Sequence, residues 1–476
     1  MKLPNGGFLI LLPAVLLIAI GANSFLGLLA LAVLGIGVWL LWRPGLSPIF
    51  IFIFGYQWLQ ASINIFQGNL QGLTVEELAA FGGNVSTATA LSLVGLLALA
   101  FGIRSGLGRA VAWQVRAMDE ELQRKPIMFW FRCYVIAMLA ALAVQSVAYT
   151  VPVLSQPLLA LAALKWAFFW ILTHLAFSRA GSVRWLWLAA FALEFALGIG
   201  GYFSNFKMVI FFTIFGMLSS GIRFTGGRLM GLGVLGVLTL MVGITWTAIK
   251  PEQRSFLSQG EQAQVVSVSY FESLSNIVQL VQKLDAAAIS DAAADMVSRL
   301  SYIDFFALTL IRVPDQIPHE MGALWADAVL RPFMPRLLFE GKTAINDSDR
   351  TIYYSGQIVA TAEQGTSVSL GYMAESYIDF GPWVMMVPIF ALGWLLGRFY
   401  RWMVNYPRSR GVMGTGLATA TLIQAAYLES SITKMFGGLV VTALIAWLVA
   451  RWIVPKFYSP AQKARQPSVT KYGQLK

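Results

Sequence analysis

The sequence has little of the chemistry on which most metal and cofactor sites depend. Its single cysteine, Cys133, excludes an intramolecular disulfide and a cysteine-based metal site. Two histidines, His174 and His319, leave little for a histidine-rich metal centre. There is no HExxH and no GxxxxGK[ST] motif, and NDSD at 346–349 is only a weak indication of a cation site. We therefore expect neither a metal nor an organic cofactor.

Charged residues are also scarce. They make up 12% of the 476 residues, against 57% hydrophobic residues, and the mean hydropathy is +0.68. This is too little charge to cover a soluble globule of that size, so the composition predicts a polytopic membrane protein. The net charge of +11 would suggest a nucleic-acid partner in a soluble protein. Here the charges are concentrated between apolar runs, and we expect no nucleic acid.

Apolar runs of about 16 to 23 residues predict the membrane spans, since about 20 residues cross the hydrocarbon. The first run could be a secretory signal peptide, but a second follows at once, and we interpret the pair as a transmembrane hairpin. The sequence thus predicts an all-α polytopic membrane protein with about 12 transmembrane helices. The runs are 8–23, 25–42, 46–66, 88–103, 127–150, 157–177, 183–200, 206–222, 229–249, 380–397, 412–428 and 435–453.

The basic residues predict how the bundle is oriented. If both termini are cytoplasmic, every second loop is basic, as the positive-inside rule requires. We then expect residues 1–249 to form helices 1–9, 250–377 a large extracytoplasmic loop subdomain, 378–455 helices 10–12, and 456–476 a basic cytoplasmic tail. The predicted inner loops carry Lys2, Arg43, residues 104–125, Arg179, Arg184, Arg223, Arg228 and residues 398–410.

The long polar interval is predicted to be folded. Residues 265–284 and 291–311 place apolar side chains near helical spacing, which predicts two amphipathic helices across the bundle mouth or in the membrane interface. Asp295 and Arg299 are four residues apart, in the favourable order for an ion pair.

A charged side chain within a membrane span raises the free energy of insertion, so it usually has a partner or a function. Lys165 and Glu194 lie at similar depths in neighbouring spans and are expected to pair. The pair either holds the two spans together or lies beneath an outward-facing cavity. His174 is expected to be a packing residue.

Cations accumulate on the predicted outer face, where topology does not require them. An anion is their expected ligand, because one guanidinium group can bind two phosphate oxygens and a lysine supplies a point charge. The alternative is that most of them pair with carboxylates of the same interval. These cations are Lys207, Lys250, Arg254, Arg299, Arg312, Arg331, Arg336, Lys342 and Arg350.

Carboxylates and aromatic residues accompany them. Glu375 and Asp379 are four residues apart and lie on one helical face. Such a carboxylate can act as a general base towards a hydroxyl, or it can stabilise a helix N-terminus. Tyr353 and Tyr354 can stack on sugar rings or be interface aromatics.

The order of these features resembles the Wzy-type O-antigen and exopolysaccharide repeat-unit polymerases. The resemblance rests on FSNFK, KPEQR, an Arg-bearing helix before Pro-rich turns, MPRLLFEGK and TSVSLGYMAESYIDFG, and covers roughly residues 202–401. It implies a glycosyltransferase of the bacterial inner membrane with a periplasmic active site. Such an enzyme transfers a glycan from undecaprenyl diphosphate to a sugar hydroxyl of a lipid-linked repeat unit, with no metal or nucleotide sugar.

The resemblance also implies roles and partners. Arg336 and Arg254 would hold the diphosphate, and Glu375 would orient or deprotonate the acceptor. Membrane lipids, a chain-length regulator and a flippase are the implied partners. The other ligand-binding candidates are Lys207, Lys250, Arg299, Arg331, Lys342, Arg350, Tyr353 and Tyr354. Alternative functions are an O-antigen ligase with the same donor, and a transporter or flippase for lipid-linked oligosaccharides.

Overall fold

A computed structural model describes most of the chain. The described residues are 20–43, 47–108, 122, 125–151, 154–178, 183–199, 206–220, 226–259, 268–334, 339, 345–360, 367–409 and 411–457. Within these ranges the regular structure is helical, with no strand. Most of the predicted first span and most of the predicted basic tail, residues 8–19 and 458–476, lie outside the described residues.

The first half of the chain is a series of apolar helices. They are α1 (Ser24–Leu41), α2 (Ile49–Gln71), the short α3 (Val75–Leu78), α4 (Val85–Leu107), α5 (Ile127–Thr150), α6 (Ser155–Ala163), α7 (Lys165–Ser178), α8 (Val183–Ile199), α9 (Phe206–Ser219) and α10 (Gly226–Leu257).

Shorter polar helices follow before the last apolar ones. They are α11 (Tyr270–Gln282), α12 (Ala286–Leu300), α13 (Asp304–Arg312), α14 (Ala323–Leu330), α15 (Asp347–Ser355) and α16 (Tyr372–Val384), and then the apolar α17 (Met386–Asn405), α18 (Val412–Leu422) and α19 (Ile432–Leu448).

The described helices confirm an α-helical membrane protein. Six segments are long and apolar enough to cross a membrane, or seven if the bent pair α16–α17 counts as one. Helix α9 and the segment Val412–Ala426 are apolar but shorter. The described structure therefore has fewer helices of spanning length than the sequence has apolar runs.

The closest helix packing is between α4 and α17, where glycines let the backbones touch. A Cβ added at Gly102 would lie 2.1 Å from the Phe390 carbonyl oxygen, and one at Gly397 2.3 Å from the Ile103 carbonyl oxygen. Gly106 and Gly393 make equivalent approaches. Both helices thus carry glycines four residues apart, a spacing that favours close association of membrane helices.

The chain turns sharply between α16 and α17. The two helices meet at 116°, and Gly381 just before the bend has φ 72°, which glycine adopts without steric cost. Pro382 has no N–H for the helical ladder. Helix α16, which carries Glu375, is therefore not a straight extension of the span that follows it.

Loops predicted to share a side of the membrane are in contact. At one end, Asn23 N–H donates to Asn69 Oδ1 at 2.7 Å, and Tyr372 N–H donates to the Ser430 carbonyl at 2.9 Å. At the other end, Arg408 Nη1 donates to the Arg451 carbonyl at 3.1 Å. Each contact joins residues that the predicted topology places on the same side of the membrane.

The polar interval forms helices where periodicity predicted them, with one difference. Residues 291–311 form two helices, α12 and α13, because the chain breaks at Tyr302, whose N–H donates to the Gln60 carbonyl of α2 at 3.2 Å. The predicted Asp295–Arg299 pair is confirmed at 3.8 Å, with both side chains exposed. It is worth little energetically.

The predicted pair inside the bundle is also confirmed. Lys165 Nζ lies 2.6 Å from Glu194 Oε2, with side chains 10% and 2% exposed. Tyr134 donates its hydroxyl to Glu194 Oε1 at 3.0 Å, so the carboxylate has a partner on each oxygen. His174 is buried with Nδ1 3.0 Å from Ser219 Oγ, which confirms a packing role.

Reversing both charges of this pair should restore what either single reversal destroys. Lys165→Glu or Glu194→Lys alone leaves two like charges buried together. We expect each single reversal to lower the free energy of unfolding by about 3–5 kcal/mol. The double reversal should recover folded yield in size-exclusion chromatography from detergent. Additive losses in the double variant would contradict an energetic link.

Candidate functional site

Four cations from three helices converge on the predicted outer side. Lys207 begins α9, Lys250 and Arg254 lie near the end of α10, and Arg299 lies near the end of α12. Arg254, Arg299 and Lys207 all lie within electrostatic range of Lys250. We call these four residues the cation cluster. Each retains exposure to solvent: Lys207 and Arg299 are exposed, and Lys250 and Arg254 are partly buried.

The cluster brings like charges together beside Lys250. Burial, and then repulsion from Arg254, Arg299 and Lys207, lower the pKa of Lys250 to about 8. Lys250 lies one residue beyond the predicted apolar span. An anionic ligand placed among the four cations would favour the charged form of Lys250.

Helix packing explains the placement. Gln253 Nε2 of α10 donates to Ser273 Oγ of α11 at 3.0 Å, and Asn276 Nδ2 donates to Gln253 Oε1 at 2.7 Å. Helix α12 also packs along α10. The polar end of α10 is thus fixed between the two amphipathic helices, and its two cations lie beside Arg299.

Aromatic rings and a carboxylate border Lys207. Its Nζ lies 5.0 Å from the centre of the Tyr427 ring, a cation–π distance. Tyr427 in turn contacts Tyr56 edge to face, with ring centres 5.8 Å apart. Glu429, two residues further along the chain, lies within electrostatic range of Lys207. Next to Lys207, the cation cluster is therefore bordered by two tyrosine rings and a carboxylate.

Gln60 of α2 fixes the position of Glu429. Its Nε2 donates to Glu429 Oε2 at 2.5 Å, and its Oε1 accepts from the Leu428 N–H at 2.9 Å. Gln60 lies about 14 Å along α2 from Asn69, at about 1.5 Å per residue. Because Asn69 contacts the start of α1, Glu429 is held at a point about 14 Å along α2 from that contact.

A cavity of about 340 Å³ adjoins the cation cluster. It shares Arg299 with the cluster, and it contacts the Glu429 region through Tyr302, whose N–H is bonded to Gln60. Burial raises the pKa of Asp304, and its Oδ1 is buried without a hydrogen-bond partner among the described residues. The lining includes Asn64, Gln67, Phe81, Arg299, Tyr302 and Asp304.

Three of the predicted ligand-binding cations form ion pairs, and one of them is Arg299 with Asp295. Arg331 Nε lies 3.3 Å from Asp327 Oδ2. Arg350 lies 2.9 Å from Glu375 Oε1 and 3.9 Å from Asp327 Oδ2. The alternative in which outer cations pair with local carboxylates therefore describes Arg331 and Arg350 fully and Arg299 in part, because the pair of Arg299 is exposed to solvent.

Glu375 is fully buried, and both of its oxygens are engaged. Oε1 accepts from Arg350 at 2.9 Å and Oε2 from the Ile432 N–H at 2.6 Å. Ile432 is the first residue of α19, so the carboxylate stabilises a helix N-terminus. The structure thus gives Glu375 a structural role and leaves no surface of it for an acceptor sugar.

Asp379 caps a second helix. Its two oxygens accept from the N–H groups of Leu324 at 3.1 Å and Trp325 at 2.8 Å, in the first turn of α14. The spacing correctly placed Glu375 and Asp379 on one helical face. That face contacts the N-termini of two helices, α19 and α14. Both helices come from distant parts of the chain.

The two predicted stacking tyrosines differ in exposure. Tyr354 is 6% exposed and donates its hydroxyl to Glu320 Oε1 at 2.7 Å, so its ring is unavailable to a ligand. Tyr353 is 56% exposed. Arg336 and Lys342 lie outside the described residues, and their predicted roles stay predictions.

Sequence reasoning did not single out Glu429, Tyr427, Tyr56 or Gln60 as site residues. Tyr427 and Glu429 lie at the end of an apolar run, and Tyr56 and Gln60 lie inside another. A glutamine within a span was the available signal, because intramembrane polar residues usually have a partner or a function.

In the part of the chain that the structure describes, no group of three or more histidine, cysteine, aspartate or glutamate side chains is arranged to hold a metal ion. No family model matches the chain, and no curated protein or solved structure shows significant similarity to it. The site must therefore be interpreted from its own chemistry. It combines a cluster of four cations, aromatic rings, a carboxylate hydrogen-bonded to Gln60 and an adjoining polar cavity.

Proposed function

We propose that the protein polymerises oligosaccharide repeat units linked to undecaprenyl diphosphate, as a membrane glycosyltransferase. The observation that carries this proposal is the convergence of Lys207, Lys250, Arg254 and Arg299 from α9, α10 and α12. A diphosphate ester has the charge to fill such a cluster. Its lipid tail can remain among the surrounding apolar helices.

The chemistry needs positive charge at the leaving group. As the bond between the anomeric carbon and the diphosphate breaks, negative charge grows on the departing phosphate oxygen, and cations placed beforehand stabilise that charge. Arg254 can bind two phosphate oxygens through its planar guanidinium, and Lys207 and Lys250 supply point charges. Hydrolysis of a nucleotide is not needed to drive the transfer, because the donor already carries a diphosphate leaving group.

The cavity beside Arg299 is our proposed site for sugar rings. Asn64, Gln67 and Asp304 offer hydrogen-bonding groups to hydroxyls, and Phe81 and Tyr302 offer apolar ring faces. The unpartnered buried Oδ1 of Asp304 would gain a hydroxyl donor there. The cavity lies next to the cation cluster, so a sugar ring bound in the cavity would be close to the diphosphate.

The proposed setting is the bacterial inner membrane, with about 12 spans, both termini in the cytoplasm and the site on the periplasmic side. The basic loops support this orientation. A flippase that delivers the substrate and a chain-length regulator are the proposed partners.

Cysteine labelling tests the orientation. Ile358 is 83% exposed on the predicted outer side, and Ser105 is exposed at the end of α4 on the other side. Because Cys133 is buried, a Cys133→Ser background should be silent. Ile358→Cys should react with an impermeant maleimide in intact spheroplasts, and Ser105→Cys only after permeabilisation. If only Ser105→Cys reacts in intact spheroplasts, the protein has the opposite orientation in the membrane.

Chain growth in vitro tests the function. The purified protein in lipid nanodiscs, given undecaprenyl-diphosphate-linked repeat units, should produce a ladder of longer glycans without ATP or nucleotide sugar. If the same preparation moves lipid-linked sugars across liposomes and yields no ladder, it is a transporter.

The second candidate, a transporter or flippase for lipid-linked oligosaccharides, is favoured by one observation. The bent pair α16–α17 resembles the interrupted helices of transporters. In this chain the bend separates the two capping carboxylates from an apolar helix, and the cation cluster lies on other helices. We therefore rank polymerisation first.

A further inference from the structure

Glu429 differs from the other carboxylates that the structure describes around the site. Glu375 and Asp379 cap helices, Asp347 lies 2.7 Å from Lys434 Nζ, and Asp327 pairs with Arg331. Glu429 is partly exposed. Among the described residues its Oε2 accepts only from Gln60, and its Oε1 accepts no hydrogen bond.

The surroundings of Glu429 place it next to both halves of the site. Lys207 of the cation cluster lies within its electrostatic range. Tyr302, which lines the sugar cavity, is close enough that the Glu429 charge adds to burial in raising the pKa of the Tyr302 hydroxyl. Tyr56 and Tyr427 also lie within electrostatic range. The carboxylate thus lies near Lys207 of the proposed diphosphate site and near Tyr302 of the proposed sugar cavity.

We infer that Glu429, held by Gln60, is the carboxylate that receives the proton of the acceptor hydroxyl. This inference rests on the proposed function and specifies the site further, because it moves the role of the base from Glu375 to Glu429. Gln60 is a positioning residue: its amide holds one oxygen of the carboxylate and leaves the other for the hydroxyl.

The transfer step balances as follows. The acceptor hydroxyl oxygen forms a bond to the anomeric carbon of the donor glycan, and the bond from that carbon to the diphosphate oxygen breaks. The electron pair leaves with undecaprenyl diphosphate, whose charge the cation cluster holds. The hydroxyl proton passes to Glu429 Oε1 and later to water.

Glu429→Gln tests this assignment against a matched control. Glutamine keeps the shape and cannot accept the proton, so the turnover rate of chain growth should fall 10²- to 10⁴-fold, as for loss of a general base. Undecaprenyl diphosphate should still bind within about threefold of wild type. Glu252→Gln removes an exposed carboxylate of α10 and should leave both quantities unchanged.

Each result leads to a decision. If wild type forms no ladder, the proposed function fails. If wild type forms a ladder and Glu429→Gln grows chains within threefold of its rate, the function stands and the inference is overturned. Should Glu429→Gln not fold, Gln60→Met carries the test: it removes the hydrogen bond to Oε2 and should lower turnover at least tenfold. An unchanged rate in that variant would overturn the inference.

Discussion

Replacing Arg254 with glutamine should lower the rate of chain growth roughly 100- to 1,000-fold while the protein stays folded, the scale seen when one preorganised group facing developing charge is removed. Lys207→Gln should have an effect of the same order. Both residues face the proposed diphosphate, and charge on that group increases during the reaction. The measurement is the initial rate of ladder formation by protein in nanodiscs.

Lys283 provides the control for charge alone. It is an exposed lysine at the end of α11, so Lys283→Gln changes the net charge equally and should leave the rate within twofold of wild type. Equal losses in all three variants would indicate a general effect of charge on lipid association. Normal ladders from Arg254→Gln would remove Arg254 from the site.

Replacing Glu375 with glutamine should destabilise the protein. The substitution leaves Arg350 without its main charge partner and weakens the cap of α19. Breaking one side of a buried ion pair typically costs about 3–5 kcal/mol. We expect a marked loss of folded protein in detergent and a lower midpoint of thermal unfolding, measured by tryptophan fluorescence.

This second experiment also separates two roles for Glu375. Asp295→Asn, which removes an exposed ion pair with Arg299, should change the midpoint little, because such pairs contribute little energy. A Glu375→Gln protein that unfolds at the wild-type temperature but makes no ladder would contradict the capping role. It would return the residue to the catalytic role that the sequence suggested.

Local patterns in the sequence predicted much of the fold. Residues 127–150 were expected to form a helix, and α5 has those bounds. Lys165 and Glu194 were paired correctly because an apolar span leaves a buried charge few alternatives to a neighbour at the same depth. Asp295 and Arg299 were paired correctly because their contact depends only on helical spacing.

The candidate site was less predictable because its contacts join distant segments. Glu375 and Asp379 were placed on one face, but nothing local reveals that Ile432 and Trp325 lie opposite. Glu429 was passed over for a related reason: its partner Gln60 belongs to α2. The sequence does contain the glycine spacing of 102 and 106 and of 393 and 397, a signal for close helix packing, but spacing alone does not identify the partner helix.

Binding of undecaprenyl diphosphate to the purified protein tests most directly whether the cation cluster holds the lipid diphosphate. The comparison is between wild type, the combined Lys207→Gln and Arg254→Gln variant, and Lys283→Gln, at one fixed salt concentration. We predict that the double variant binds at least 100-fold more weakly than wild type and that Lys283→Gln binds normally. Equal dissociation constants for wild type and the double variant would contradict the assignment of the cluster as the diphosphate site.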